Sequence, residues 1–184
     1  METDHLKIFQ KSMDLLARTP AVLNSLLRDL PESWTVHNEG PNTWNVLDVV
    51  GHLINCERTD WMPRAKTLLQ FGESQAFGPF DRFGHVQKII GKSLPQLLDE
   101  FSLVRDENLA QLREMNLQEK DLCLRGTHPA FGPVTLSQLL TTWAVHDLNH
   151  LHQISRIMAH QYRDPVGRWS DYLGVLHCAG HGAP

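Results

Sequence analysis

The chain has 184 residues, 41% of them hydrophobic and 21% charged, an ordinary globular composition that excludes intrinsic disorder. Its 17 basic and 21 acidic residues leave a net charge of −4, which argues against a nucleic-acid-binding surface or adhesion to an anionic membrane. No apolar run approaches the ~20 residues that span a bilayer, and the charged start METDHLKIFQKSMD lacks a signal-peptide stretch, so the expected location is the cytoplasm. The length predicts one domain over 1–184, large enough to bury a core without staples.

The apolar pattern is helical along most of the chain. Residues 4–17 carry Leu6, Phe9, Met13 and Leu16 on one face. Thr19 before Pro20 predicts an N-cap and restart, with the helix running on to Leu30. Residues 31–43 are turn-rich and predict a loop. Thr43 is expected to cap a long helix over 44–70, with a kink or an early end at Pro63. A glycine- and aromatic-rich loop follows at 71–84. The third long helix is expected over 85–115, with a possible restart at Ser93 and Pro95. Residues 116–136 predict a loop, and Thr135 or Ser137 a cap for a fourth helix over 137–160. Trp169, Tyr172, Leu173, Val175 and Leu176 predict a docking segment, followed by a frayed tail over 177–184. No run alternates with period two. The fold class is therefore all-α, a four-helix bundle with long connections between its helices.

Three cysteines, Cys56, Cys123 and Cys178, are too few and too widely spaced for a disulfide framework or a cysteine-based zinc site. Eleven histidines are many for this length, and histidine is the commonest metal ligand. His146 and His150 form an H-x-x-x-H pair, which on a helix puts both imidazoles on one face, within reach of one cation. The pair alone is a weak signal. His152 points away from their shared face. His52 lies mid-helix among Val49, Val50, Leu53 and Ile54, where a histidine by itself is more often a satisfied core residue than an inward-facing ligand, although bundles build metal sites from such positions. Gly51 beside it lowers helix propensity by about 1 kcal/mol and leaves room for a close approach. Three imidazoles would leave a coordination position open, the catalytic pattern for zinc.

The stretch TWNVLDVVGHLINCERTDW, followed about ninety residues later by LLTTWAVHDLNHLHQISRIMAHQY, resembles the DinB-like (DinB/YfiT-like) family of metalloproteins. TPAVLNSLLRDLPESW, GPNTW and HPAFGPVTLSQLL extend the resemblance over nearly the whole chain. It implies a four-helix bundle, often a homodimer, with zinc or nickel held by one histidine of the second helix and an H-x-x-x-H pair of the fourth. Those positions fall on His52, His146 and His150. The resemblance further implies a metal-dependent transferase acting through a low-molecular-weight thiol such as bacillithiol, mycothiol or glutathione, which would attack an electrophilic small molecule. A hydrolase using a metal-bound water and a non-enzymatic, metal-stabilised dimeric protein are the alternatives.

Other residues border this constellation. Asp48 and Cys56 sit one turn before and one turn after His52. Asp48 reads either as a residue that orients a ligand or binds substrate, or as a helix-start carboxylate. Cys56 reads as an accessory ligand or a small buried hydrophobe. Asn149 is a candidate donor to a metal-bound group. Glu57 and Asp60 could line a pocket, or pair with Arg58 or Arg64. Trp44, Trp61 and Trp143 could wall it or belong to the core. His177, Cys178 and His181 have ligand-like types in a glycine-rich tail, and His128 before Pro129 has no partner legible in the sequence.

Overall fold

The computed structural model describes residues 4–178. The first helix of the bundle is broken into α1 (His5–Leu16) and α2 (Thr19–Leu27). The Asp4 side chain caps α1. Thr19 is not a cap: it stands inside α2, and its hydroxyl donates back to the Leu15 carbonyl. The helix also stops at Leu27 rather than Leu30, because Arg28 turns extended.

The second helix comprises α3 (Val46–Cys56) and α4 (Met62–Phe71), joined by one wide π-helical turn over Glu57–Trp61. Its cap is Asn45, not Thr43. Asn45 accepts from the Asp48 N–H while the Asp48 carboxylate accepts from the Asn45 N–H. Thr43 instead donates its hydroxyl to the Gly40 carbonyl in the preceding turn. The π-turn is the form that the Pro63 disturbance takes. Proline offers no N–H to the preceding turn, and a local widening keeps the helix continuous.

The third helix, α5 (Leu94–Glu114), starts at the Ser93/Gln96 capping box with Pro95 in its first turn. Residues 85–92 are therefore not part of it and form only a 3₁₀ turn at Val86–Lys88. The predicted loop at 116–136 contains a short helix, α6 (Glu119–Leu122), and a hairpin of β1 (Arg125–His128) and β2 (Gly132–Thr135). The strands pair antiparallel, Arg125 opposite Thr135 and His128 opposite Gly132. Gly132 supplies the positive φ of the turn, and His128 Nδ1 accepts from the backbone N–H groups of Ala130 and Phe131. The fourth helix, α7 (Leu136–His160), begins at the Thr135/Gln138 capping box.

Helices α1 and α2 pack on α7 and α5 respectively, and α3 packs on both α5 and α7. The first and second helices thus lie across a diagonal, and so do the third and fourth. That order requires long first and third connections, because the helices they join are not neighbours, whereas the second and third helices pack directly. After α7, Gly174–Leu176 packs on that helix. Trp169 and Tyr172 do not dock; both are exposed.

Two apolar clusters fill the bundle. One gathers Leu16, Cys56, Trp61, Leu109, Leu112 and Trp143. The other gathers Leu23, Val49, Leu53, Phe101, Ile154 and Ile157. Polar residues interrupt or separate these apolar runs on three of the helices: His52 and Glu57 on the second, Arg105 on the third, and His146, Asp147 and His150 on the fourth. This polar layer positions the site.

Candidate metal centre

The structure brings His52, His146 and His150 together, with one ring nitrogen of each within 4.8 Å of the others. His146 Nε2 lies 3.3 Å from His52 Nε2 and 3.1 Å from His150 Nε2. His150 donates its Nδ1–H to Gln153 Oε1 at 2.8 Å, which leaves the Nε2 lone pair pointing into the cluster. Tetrahedral ligands at about 2.0–2.1 Å from a zinc ion stand roughly 3.3–3.4 Å apart. The observed spacings match that edge length, so the donor set fits a divalent cation.

Burial, then the neighbouring imidazoles, hold His52 down to about 3 and His146 down to about 2. Both rings are therefore neutral at physiological pH, the state that ligation requires. The His146 Nδ1 atom is buried without a hydrogen-bond partner among the described residues, and the Arg82 backbone stands beside the His52 ring.

The cluster opens into a cavity of about 300 Å³. Trp44 tilts over the His52 ring at 4.8 Å, Trp61 meets the His146 ring edge-on at 5.0 Å, and Phe80 meets His52 edge-on at 5.8 Å. Arg82 lies over the Trp44 ring at 5.3 Å. Asn149 and Gln153 complete the polar part of the lining. Phe80 and Arg82 come from the connection between α4 and α5. That segment is anchored to α3 by Asn55, which donates to the Asp81 carbonyl and accepts from Lys88 Nζ. Gly51 admits it: a Cβ there would stand 2.5 Å from Ile89 Cγ2.

Cys56 Sγ lies 3.4 Å from His52 Nε2 and 4.0 Å from His146 Nε2. Asp60 lines the cavity and pairs with Arg64 at 2.6 Å. Burial raises its carboxyl above the ordinary range, with Arg64 opposing. Of the two readings of Asp48, the structure favours the helix-start carboxylate: its side chain closes the α3 capping box and is not among the residues that line the cavity. Glu57 pairs with neither Arg58 nor Arg64. It is buried beneath the site, accepting from Arg105, Asn108 and the Trp143 indole.

Sequence reasoning missed two features. The first is that buried network. Arg105 donates to both oxygens of Asp147 at 2.6 and 3.0 Å, to Glu57 at 2.7 Å and to the Leu16 carbonyl at 2.9 Å. Its signal was an arginine on the apolar face of α5, in register with Phe101 and Leu109. Burial works against the Arg105 charge, but Glu57 and Asp147 outweigh it and hold the guanidinium protonated. The second is His85, fully buried against Trp44 and His52 and beside the Arg82 backbone.

A second ligand-like cluster, His5, Glu119 and Cys123, has a structural account. Glu119 accepts from the His5 and Leu6 N–H groups at the start of α1, and His5 Nδ1 contacts Ser137 Oγ. His177 and Cys178 contact backbone carbonyls of their own segment, and His181 lies outside the described residues.

A model of the DinB superfamily matches residues 15–154. Among solved structures, YfiT from Bacillus subtilis, described as a probable metal-dependent hydrolase with an unusual four-helix bundle topology, has a similar fold. It superposes with a TM-score of 0.68 at 23% identity, covering 80% of this chain and 83% of that one. No curated protein matches the sequence.

Proposed function

The chain belongs to the DinB superfamily, and on that premise we propose that it binds a divalent metal, zinc or nickel, and transfers a low-molecular-weight thiol to an electrophilic small molecule. The observation that carries the reading is the convergence of three imidazoles at 3.1 and 3.3 Å, two of them, His52 and His146, held neutral by burial. His52, His146 and His150 would hold the ion. When bound, it supplies Lewis acidity, lowering the pKa of a coordinated thiol or water.

The chain's own residues supply the rest. His150 is kept in its Nδ1–H tautomer by Gln153. Trp44, Trp61 and Phe80 shield the site from bulk water. Arg82, charged and exposed at the rim, can take an anionic end of the thiol or its acceptor. Asp60, the one carboxylate among the described residues of the lining, is already paired with Arg64. A thiol, which brings its own nucleophile, suits a pocket with no uncommitted base. A homodimer belongs to the same proposal.

One observation favours a second reading, a metal-dependent hydrolase, as the Bacillus subtilis neighbour is described. The raised Asp60 carboxyl could serve as a general base if Arg64 released it. Zinc- and nickel-loaded protein, offered bacillithiol, mycothiol, glutathione or coenzyme A with an electrophile, separates the two. The transferase reading expects thermal stabilisation by one thiol and loss of that thiol with the electrophile. Hydrolysis of activated esters without any thiol, abolished by Asp60→Asn, would establish the hydrolase instead. Neither activity leaves a non-enzymatic metal-stabilised protein.

A further inference from the structure

We propose a second cation site, outside the pocket, in which His5, Glu119 and Cys123 hold a borderline divalent ion such as zinc. The proposal does not depend on His52, His146 and His150.

One ligand atom of each of these three residues lies within 4.8 Å of the other two, as the donors of the histidine centre also do. The donors come from two distant parts of the chain. His5 opens α1, 114 residues before Glu119. Glu119 opens α6 and Cys123 is its C-cap, so a single turn presents both. The pattern repeats that of the histidine centre, an i, i+4 pair met by a lone histidine from another helix. From Ser137, which touches His5, to His146 is nine residues of α7, about 13 Å of helix, so the two centres are separate.

The bonds that cap α1 also hold the donors ready. Glu119 Oε1 accepts from the His5 N–H at 3.1 Å and Oε2 from the Leu6 N–H at 2.9 Å, which fixes the carboxylate and leaves each oxygen a second lone pair. Ser137 Oγ stands 3.1 Å from His5 Nδ1 and orients the ring. Ligating carboxylates and imidazoles are ordinarily steadied by such outer bonds. Capping α1 needs only an acceptor; it gives no reason for an imidazole and a thiol to gather at the same carboxylate. Cys123 is exposed, and torsion of its side chain brings the donors to the edges of roughly 3.3–3.6 Å that a tetrahedral zinc site has.

Charge and donor type agree. When the sulfur–metal bond forms, the S–H bond breaks and its proton passes to the solvent that Cys123 already meets. The thiolate and the Glu119 carboxylate together offset both charges of the ion. One nitrogen, one sulfur and one oxygen suit zinc, whereas magnesium and calcium take oxygen. The bound ion ties the start of α1 to α6 and leaves a fourth position to water. Held by three protein donors at the surface, it exchanges with solvent and does not survive gel filtration, so it is read at equilibrium.

Titration with cobalt(II), without removal of free metal, tests this apart from any activity. Wild type and His146→Ala should both show an intense near-ultraviolet sulfur-to-cobalt charge-transfer band. Cys123→Ser and His5→Ala should lose it, and Glu119→Gln should move the titration midpoint severalfold to higher cobalt. No such band in wild type overturns the proposal. A band that survives in Cys123→Ser belongs to another cysteine, one that survives in His5→Ala or keeps its midpoint in Glu119→Gln belongs to a thiol without this donor set, and one lost in His146→Ala belongs to the histidine centre; each overturns it. Should a variant fail to fold, alkylation of the unsubstituted chain decides. Zinc should slow the reaction of iodoacetamide with Cys123 severalfold and leave the exposed Cys178 unaffected. An unchanged rate at Cys123, or equal slowing at both cysteines, overturns the site.

Discussion

Arg105 grips Asp147 with two hydrogen bonds, at 2.6 and 3.0 Å, and so turns a carboxylate that lies between His146 and His150 in sequence away from the cluster those histidines form. Glu57 joins from the other side, and the three fully buried ionic groups carry one net negative charge. That charge sits where it favours a cation bound above it. The network also joins three helices of the bundle, since Glu57 lies in the π-turn after α3, Arg105 on α5 and Asp147 on α7.

Removing Asp147 leaves Arg105 balanced in charge by Glu57 but takes away two of the hydrogen bonds of its buried guanidinium. Asp147→Ala is expected to destabilise the fold by about 1–3 kcal/mol, the range for buried donors left unsatisfied. Chemical denaturation of the metal-free protein measures this. A loss under about 1 kcal/mol would mean that water reaches Arg105 and compensates it.

The histidines set the acid response. His52 and His146 are held at about 3 and about 2, against an unfolded value near 6.5. Below about pH 6.5 the unfolded chain takes up protons that the folded chain refuses. The stability is therefore whole above that pH and drains away as pH falls toward the folded values, by at most ~1.4 kcal/mol per pH unit for each ring. Denaturation midpoints of metal-free protein should fall between pH 7 and pH 5, and His52→Ala should flatten the slope. A midpoint independent of pH over that window would show that the rings are not neutral in the fold.

Gly51 makes a sharper structural prediction. Alanine there gains about 1 kcal/mol in helix propensity, yet its Cβ would meet Ile89 Cγ2 at 2.5 Å. The clash should win, with Gly51→Ala destabilising by about 1–3 kcal/mol. In an Ile89→Ala background the same substitution should become neutral or stabilising. Equal effects in both backgrounds would show that the connection does not press on α3.

The four long helices and the histidine constellation were legible because each rests on local pattern. His146 and His150 are four apart on a strongly periodic helix, and Ser93 and Thr135 are caps with a glutamine three residues on. Thr19 and Thr43 misled because a threonine before proline or tryptophan resembles a cap, while the neighbouring Arg18 and Asn45 decide where the helix begins. The hairpin was hidden by its brevity: four-residue strands containing Gly126 and Pro133 carry no alternation to read. Glu57 could not be paired with Arg105 from sequence, since 48 residues separate them and the nearer Arg58 and Arg64 compete. Arg58 instead pairs with Glu100. Nor does any local signal place His85 against Trp44, because the connection that carries it is positioned by contacts with Asn55 and the Gly51 gap.

Metal stoichiometry of the purified protein, alone and as His146→Ala, tests the central claim most directly. His146 is the ring whose Nε2 touches both of the other two. Elemental analysis after loading with zinc or nickel and gel filtration should find one ion per chain in wild type and none above background in His146→Ala, with the far-ultraviolet circular dichroism of the two unchanged. A wild-type protein that retains no ion, or a His146→Ala variant that retains as much as wild type, would contradict the account.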